Sequence, residues 1–427
     1  MSVYDLRDFG WEGCIIPESL ENICQYIPTW KDIQTLRSHT TNANVQLYFP
    51  KKFFHSETLG NYMPGYLKGK TINRGSYASV FKGKRAIFTP TDNKTEGIVN
   101  MRKMSEFEIF CIKEIRLNIT PSEKLASPRT KTKAYEEEIN AIIYEAILHA
   151  LLIKTFEKQG FPTVVPRLYE MTAHTTRDSN PPLISNIDSI WLSMEFIQGM
   201  TLEEFFQRHL TKTSSLAIQR KNEQYMMDIF LQLAFFLNIV QERLRFNHRD
   251  LKINNLLIRS HDSPLMRKLT LPNGTTYSCL YDIVFIDFGF ACIACDKDSP
   301  TPRATRIGAG SWFRPEHDCF KDGRDIAQFV FSVHSSFPIQ DYTTRAFFDT
   351  LFKSLTAETG DASVPLLNGF DNVGNPNTTM PAQVVFNNGV YIFMRESNVD
   401  IPGCSPKTFM TTLAPYIDPS LVTSVKI

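Results

Sequence analysis

The chain has 427 residues, of which 42% are hydrophobic and 21% are charged, as in ordinary globular proteins. This length exceeds what one compact core usually covers, so we expect two lobes or domains. Lys and Arg total 46 against 45 Asp and Glu, and the net charge of +1 gives no global attraction to nucleic acid or membrane.

The N-terminus and the cysteines set expectations for the compartment. The opening "MSVYDLRDFGWEGC" has no basic segment followed by an apolar run, so no secretory signal is expected. No uninterrupted apolar stretch is long enough to span a membrane, so we expect no membrane insertion. The eight cysteines are scattered apart from Cys292 and Cys295, which favours a reduced, intracellular setting in the cytoplasm or nucleus.

The first half of the chain predicts an N-terminal extension, then strands, then a long helix. Prolines interrupt residues 1–70, and strand patterns follow in residues 77–88 and in "FEIFCIKEIRL" at 107–117. The polar stretch at 118–133 predicts a loop. Residues 134–158 lack Pro and Gly and carry apolar residues at helical spacing, which predicts a helix.

The second half predicts further strands and several helices. "VVPRLYEMT" and "SIWLSMEFI" are strand-like, "TLEEFFQRH" opens with a helix cap, and residues 224–244 predict a long buried helix. The short strands "NLLI" and "DIVFID" flank a turn-rich insertion around Pro272-Asn273-Gly274. "RAFFDTLFKSL" predicts one more helix, whereas residues 361–427 show no regular pattern.

The stretch "INRGSYASVF" has the form of a nucleotide-covering loop, G-x-G-x-x-G-x-V. Asn73, Gly75 and Ala78 occupy its glycine positions, and Val80 follows. Because only one glycine is present, a simple hairpin turn is the favoured explanation of this stretch when it is considered alone.

Lys113 follows Cys111 and Ile112 in an apolar strand, where an unpaired ammonium group is costly to bury. Glu145 lies on the same face of the long helix as Ile142 and Leu148 and is a candidate partner. The alternatives are a lysine that reaches solvent and a glutamate on a solvated helix face.

Polar side chains cluster in "FNHRDLKINNLLI" and again in "VFIDFGFA". Asp250 can accept a proton from a hydroxyl, and Lys252 can stabilise phosphate charge. Asn255 and Asp287 offer oxygen ligands to a hard cation. Taken singly, each stretch is also compatible with a polar turn.

Together these stretches have the order of the protein-kinase signatures: the glycine loop, the strand Lys, the helix Glu, H-R-D-L-K-x-x-N and D-F-G. From about Ile72 to about His334, the sequence resembles the eukaryotic-type protein kinase superfamily, and it is similar to the divergent kinases of large DNA viruses. The resemblance implies an α+β, two-lobed fold. Residues 71–194 would form a β-rich N-lobe and residues 195–360 a mainly helical C-lobe, with an N-terminal extension at 1–70 and an irregular C-terminal region at 361–427.

The resemblance also implies ATP and Mg²⁺ as cofactors and assigns roles to individual residues. Asp250 would accept the hydroxyl proton, Lys252 would neutralise the transferred phosphoryl group, and Lys113 would bind phosphate with its side chain fixed by Glu145. Asn255 and Asp287 would hold magnesium. The residues implied around the nucleotide are Ile72, Gly75, Val80, Lys113, Met194, Glu195, Ile197 and Asp287. Asp325 would bind the backbone of the catalytic loop.

Lys252 favours Ser/Thr specificity, because Tyr-specific members of the superfamily usually lack a lysine there. Arg314-Pro315-Glu316, in place of A-P-E, favours protein substrates. A pseudokinase that acts as a binding or scaffold module remains an alternative because of the altered glycine loop. A kinase-fold enzyme for small-molecule hydroxyls is the other. No nucleic-acid partner is expected, and a viral source would place the protein in the infected cell or the virion.

The pair Cys292 and Cys295 allows two interpretations. With His317 and Cys319 it would complete a zinc site. The sequence instead favours free cysteines packed in an apolar environment.

Overall fold

The computed structural model describes residues 37–42, 45–49, 65–74, 78–86, 107–174, 188–259, 267–293, 303–304, 320–356 and 400–425. The chain divides into two compact units. The first, here called the sheet unit, takes the described residues from 37 to 154 and from 166 to 196. The second, called the helical unit, takes those from 155 to 165 and from 197 to 425.

The sheet unit is built on a five-stranded antiparallel sheet with strand order β3-β4-β5-β7-β6. Its strands are β3 (Gly65–Arg74), β4 (Ala78–Ala86), β5 (Phe107–Arg116), β6 (Leu168–His174) and β7 (Ser189–Glu195). A separate antiparallel pair is formed by β1 (Arg37–Asn42) and β2 (Val45–Phe49). Phe81, Phe110, Ile112 and Trp191 form a buried cluster on the five-stranded sheet. In the strand order given above, β5 lies inside the sheet, between β4 and β7.

The loop predicted at residues 118–133 is wrong, because much of this stretch is helical. The short helix α1 (Pro121–Leu125) begins at a capping box in which Thr120 and Glu123 bond each other's backbone amides. The long helix α2 (Pro128–Lys158) begins six residues earlier than the apolar pattern predicts. Its first turns are polar and largely exposed, so they carry no apolar periodicity to reveal them.

The helical unit contains five α-helices among its described residues. They are α3 (Leu202–His209), α4 (Leu216–Leu244), α5 (Arg324–Ser336), α6 (Arg345–Thr356) and α7 (Pro406–Leu413). Residues from Met226 to Leu237 in α4 are buried almost without interruption, so this helix forms the core of the unit. The start of α3 follows from its capping box, in which Thr201 and Glu204 bond each other's backbone amides.

Small antiparallel sheets complete the helical unit, and two of them frame the polar stretches singled out above. In one, β10 (Leu256–Arg259) pairs with β8 (Gly199–Thr201) and β13 (Asp282–Phe285). In the other, β14 (Cys292–Ile293) pairs with β9 (Phe246–Asn247) and β15 (Arg303–Ala304). The "HRDLK" residues lie between β9 and β10, and the "DFG" residues lie between β13 and β14.

The turn-rich insertion forms a β-hairpin that the sequence does not predict. β11 (Lys268–Thr270) and β12 (Thr275–Ser278) flank the predicted turn, and β12 also pairs with β16 (Val422–Val425) near the C-terminus. Within the described part of the chain, no helix combines the length and apolar character needed to cross a membrane.

Candidate active site

Lys113 lies in the middle of the five-stranded sheet and forms an ion pair with Glu145. Its strand neighbours are Val80 on β4 and Leu192 on β7. Its Nζ contacts Oε1 of Glu145 on α2, and the two side chains are only 12% and 6% exposed. A buried ammonium group needs such a partner, and Glu145 supplies it from a residue 32 positions further along the chain.

His149 lies one helical turn after Glu145, near enough to the ammonium group of Lys113 to be affected by its charge. Its Nε2 lies 2.7 Å from the carbonyl oxygen of Pro166. Burial lowers the pKa of His149 to about 4, and the charge of Lys113 adds a smaller lowering against the raising effect of the Pro166 bond. The imidazole is therefore neutral at physiological pH and adds no charge near Lys113.

The other nucleotide residues implied in the sheet unit lie on β3, β4 and β7. Ile72 is 51% exposed on β3, and Val80 is half-buried on β4. Met194 and Glu195 are half-buried at the end of β7, where the Glu195 amide donates to the Arg167 carbonyl at 2.8 Å. Gly75 lies outside the described residues, and the buried Ile197 belongs to the helical unit.

In the helical unit, Lys252 and Asn255 both contact the carboxylate of Asp250. Lys252 Nζ lies 3.1 Å from Oδ1 and 2.8 Å from Oδ2 of Asp250. Asn255 Nδ2 donates to the Asp250 carbonyl at 2.8 Å and to Oδ2 at 3.0 Å. The Asp250 side chain is 9% exposed and the Lys252 side chain 45%, so the carboxylate is fixed from within the protein and the ammonium group reaches solvent.

Asp325, in the first turn of α5, holds the backbone of this loop. Its Oδ2 accepts from the His248 amide at 2.7 Å and from Asn247 Nδ2 at 3.1 Å, and its Oδ1 accepts from the Arg249 amide at 3.0 Å. Arg249 adopts a left-handed conformation, with φ at 65°. Bonds to a buried carboxylate offset the cost of this strained backbone just before Asp250.

Asn247 also holds the loop before Asp250 in place, and sequence reasoning missed it. Its side chain accepts from the Lys321 amide at 2.6 Å and donates to the Lys321 carbonyl at 3.1 Å, in addition to its bond to Asp325. An asparagine at the end of a two-residue strand gives no pattern of its own. The adjacency to "HRD" is the one signal that could have drawn attention to it.

Asp287 follows the end of β13, on a backbone that is bonded to the loop around Asp250. The amide of Ile286 donates to the Asn255 carbonyl at 3.1 Å, and the Ile286 carbonyl lies 3.1 Å from Nε2 of His248. Asp287 itself is exposed and has φ at 65°, a conformation that aspartate tolerates better than most residues. The next residue, Phe288, is buried with its ring 5.4 Å from that of His248.

The chemistry of Asn255 and Asp287 fits a magnesium ion. Because Nδ2 of Asn255 faces Asp250, its Oδ1 is the end that can bind a cation, and Asp287 presents an exposed carboxylate. Among the described residues, no group of three or more His, Cys, Asp or Glu side chains could hold a metal. Mg²⁺ commonly takes one or two protein oxygens and completes its shell with water and phosphate, so the oxygens of Asn255 and Asp287 are of the kind and number that it binds.

Cys292 is buried and disulfide-bonded. The prediction of a free, packed thiol at this position is therefore wrong, and a disulfide sulfur is not the thiolate that a zinc site requires. Adjacency to apolar residues gave the prediction, and it cannot distinguish a thiol from a disulfide. Cys295, His317 and Cys319 lie outside the described residues, as do Arg314, Pro315 and Glu316.

Part of the chain is similar in sequence to a viral protein. It is 31% identical over 102 residues to the protein named "Probable kinase 098L" of Invertebrate iridescent virus 3. The match covers 23% of this chain and 17% of that protein. No model of a known protein family matches the chain. The comparison therefore indicates a kinase-like relationship that extends over about a quarter of the sequence.

Proposed function

We propose that this chain is a protein kinase that transfers the γ-phosphate of ATP to Ser or Thr hydroxyls of protein substrates. The observation that carries the proposal is the loop around Asp250. In it, an ammonium group and an amide both bond one buried carboxylate, and a second carboxylate, that of Asp325, holds the loop backbone. Such a loop can orient a hydroxyl and also present positive charge to a phosphate.

Each part of the proposed reaction is assigned to a described residue. An oxygen of Asp250 accepts the proton of the substrate hydroxyl, and the exposed ammonium group of Lys252 offsets negative charge on the transferred phosphoryl group. Asn255 and Asp287 hold Mg²⁺, which neutralises phosphate charge when it is bound. Lys113 binds the nucleotide phosphates, and its ion pair with Glu145 keeps the ammonium group in place.

The sheet unit then corresponds to a nucleotide-binding N-lobe and the helical unit to a C-lobe. The limits predicted from the sequence, 71–194 and 195–360, are revised accordingly, because residues 155–165 and the helix α7 belong to the helical unit. Ile72, Gly75 and Val80 would contact the nucleotide from the glycine loop. Met194, Glu195 and Ile197 would line its adenine end, with the contribution of Glu195 coming from its carbonyl because its amide already bonds Arg167.

The viral relative supports a setting inside an infected cell. A substrate whose hydroxyl lies on a protein is favoured over a small molecule by the resemblance of Arg314-Pro315-Glu316 to the end of a kinase activation segment. The oligomeric state does not enter the proposal.

The proposal is tested with radiolabelled ATP, Mg²⁺ and generic protein substrates. We expect label on Ser or Thr in phosphoamino-acid analysis, and loss of at least about 100-fold in rate for Asp250→Asn, which keeps the shape of the side chain but cannot take the proton. Nucleotide binding without transfer would identify a pseudokinase. Label that appears only on a small-molecule hydroxyl would identify the other alternative.

The metal assignment has a separate test. Asp287→Asn removes the charge and keeps a side chain that tolerates φ at 65°, so the thermal unfolding temperature should stay close to that of the wild type while Mg²⁺-dependent transfer is lost. A variant that unfolds like the wild type and keeps most of its activity would show that the metal is held elsewhere.

A further inference from the structure

The turn at Lys321, Asp322 and Gly323, just before α5, is held by residues from near the C-terminus. The Asp322 amide donates to Oδ1 of Asp400 at 2.8 Å, and the Ile401 amide donates to the Asp322 carbonyl at 2.8 Å. The amide and the carbonyl of Asp322 are thus both bonded by residues far along the chain, since Asp400 follows Asp322 by 78 positions.

Gly323 permits the close approach of this C-terminal segment. It has φ at +72°, and a Cβ added there would lie 2.1 Å from the carbonyl oxygen of Ile401 and 2.8 Å from the carbonyl carbon of Cys404. A larger residue would therefore be strained and would also push the segment away. Gly323 thus contacts the C-terminal segment, and Asp325, two residues later, is the carboxylate that holds the catalytic loop.

The C-terminal segment is itself anchored in the core of the helical unit. Ile401 and Cys404 are fully buried, and Cys404 Sγ lies 3.5 Å from the carbonyl of Ser354 on α6. The helix α7 that follows places Phe409 with its ring 6.3 Å from that of Phe230 on α4. The C-terminal segment is therefore anchored in the core and supports the turn at Asp322.

On its other side, the same turn bonds the catalytic loop. Lys321 exchanges hydrogen bonds with the Asn247 side chain at 2.6 and 3.1 Å. Asp325, in the helix that starts after Gly323, accepts from the amides of His248 and Arg249. Hydrogen bonds no longer than 3.1 Å, together with the peptide backbone between Lys321 and Asp322, connect Asp400 through the turn to the backbone before Asp250.

We infer that Asp400 and Ile401 are positioning residues for the catalytic loop, acting on Asp250 through the turn at Asp322. The part of this inference that concerns catalysis rests on the proposed kinase function, whereas the part that concerns loop order does not. Asp400 acts as a hydrogen-bond acceptor and not through its charge. A second carboxylate, that of Asp322, lies beside it, and the pKa of Asp322 is raised by burial and further by the charge of Asp400.

The acceptor role sets the matched pair of variants. Asp400→Ala removes the acceptor, whereas Asp400→Asn keeps an oxygen for the Asp322 amide. Asp400 is exposed, so neither substitution opens a cavity in the core. Gly323→Ala is a second, independent way to displace Ile401 from the same turn.

Hydrogen exchange followed by mass spectrometry tests loop order directly. In Asp400→Ala, a peptide covering residues 246–251 should exchange about 10-fold faster, because losing one hydrogen bond shifts a local opening equilibrium by about that factor. A peptide covering residues 229–237 of α4 should exchange as in the wild type. Asp400→Asn should match the wild type in both peptides, and Gly323→Ala should resemble Asp400→Ala.

The kinetic counterpart is a fall of about 3- to 10-fold in kcat for Asp400→Ala with KM for ATP unchanged, since a misplaced Asp250 affects the chemical step. Equal acceleration of exchange in both peptides would overturn the inference, because it would mean a general loss of stability. Unchanged exchange at 246–251 would overturn it as well. If the wild type transfers no phosphate, the exchange result still decides whether the C-terminal segment orders this loop.

Discussion

Lys113 in the sheet unit and Asp250 in the helical unit are held in place by different means. Lys113 is fixed by strand register and by one acidic side chain, that of Glu145. Asp250 lies in a loop whose amides are bonded by Asp325, which follows His248 by 77 residues. The first arrangement is a side-chain pair on a regular scaffold, and the second is an irregular backbone that depends on distant parts of the chain.

The difference teaches where each group is vulnerable. A strand keeps its ladder of hydrogen bonds when one side chain is changed, so a substitution at Lys113 should leave the strand register intact and act through the carboxylate of Glu145 that it leaves unpaired. The loop at Asp250 has no ladder to maintain it, so loss of one remote acceptor should alter both its order and its chemistry. Variants in the two units therefore separate these effects.

Asp325→Asn should break the helical unit's site without touching Asp250 itself. The substitution places an NH₂ group where a carboxylate oxygen accepted from buried donors, so at least one of them loses its acceptor. We expect the free energy of unfolding to fall by about 3 kcal/mol and phosphotransfer to fall by about 100-fold or more. Urea denaturation and the radiolabel assay measure the two effects, and a fully active, stable variant would show that the loop orders itself.

Lys113→Met should reduce kcat/KM for ATP by about 100-fold or more, because the phosphates lose their cationic partner. The substitution also leaves the buried carboxylate of Glu145 without its ammonium group, which destabilises the sheet unit.

The double variant Lys113→Met/Glu145→Gln separates these two effects. It should regain thermal stability relative to Lys113→Met while remaining inactive. Recovery of activity in the double variant would contradict a direct role for Lys113 in phosphate binding.

Glu145→Gln alone should have a milder effect, of about 10-fold on kcat/KM, because the amide oxygen can still accept from Lys113 but no longer neutralises it. The matched control is Glu138→Gln on the same helix, where the carboxylate accepts from the exposed Asn118 amide at 3.1 Å. Kinetic constants for the two variants would sharpen the comparison. A damaging Glu138→Gln beside a silent Glu145→Gln would mean that the wrong helix residue has been assigned to Lys113.

Sequence reasoning found the residues whose chemistry is unusual for their surroundings. An apolar strand around Lys113 and an apolar run before Asp287 mark charged groups that burial would otherwise exclude, so they stand out without a structure. The long regular helices α2 and α4 were also predicted, since each carries a continuous apolar face that alone determines the type of element.

What sequence reasoning missed is formed by contacts between distant segments. The hairpin of β11 and β12 is completed by β16, and the turn at Asp322 is completed by Asp400. Asn247 has a role because Lys321 and Asp325 approach it, and Gly323 because Ile401 does. Such pairings depend on tertiary position, which neither local propensity nor periodicity encodes.

The two units also differ in how buried titratable groups make their stability depend on pH. Burial lowers the pKa of His149 in the sheet unit from 6.5 to about 4, and burial raises the pKa of Asp228 in the helical unit from 3.8 to about 7. The folded sheet unit therefore binds fewer protons at His149 than the unfolded chain does between those values, so this group's contribution to stability falls as pH falls. For Asp228 the folded state binds more protons, so its contribution falls as pH rises toward 7.

Asp228→Asn should have the smallest effect on activity and should remove this second dependence. Asp228 lies within α4, where its Oδ2 accepts from the amides of Leu280 and Tyr281, and its Oδ1 has no hydrogen-bond partner. Burial is the largest cause of the raised pKa of Asp228, and the negative charge of Asp282 raises it further. An asparagine oxygen can keep both amide bonds without charge.

The stability of Asp228→Asn, measured relative to the wild type as the free energy of unfolding in urea, should therefore be higher at pH 8 than at pH 5. A constant difference between variant and wild type at both pH values would show that Asp228 does not titrate in this range, and the opposite pH trends of the two units would then lack their source in α4.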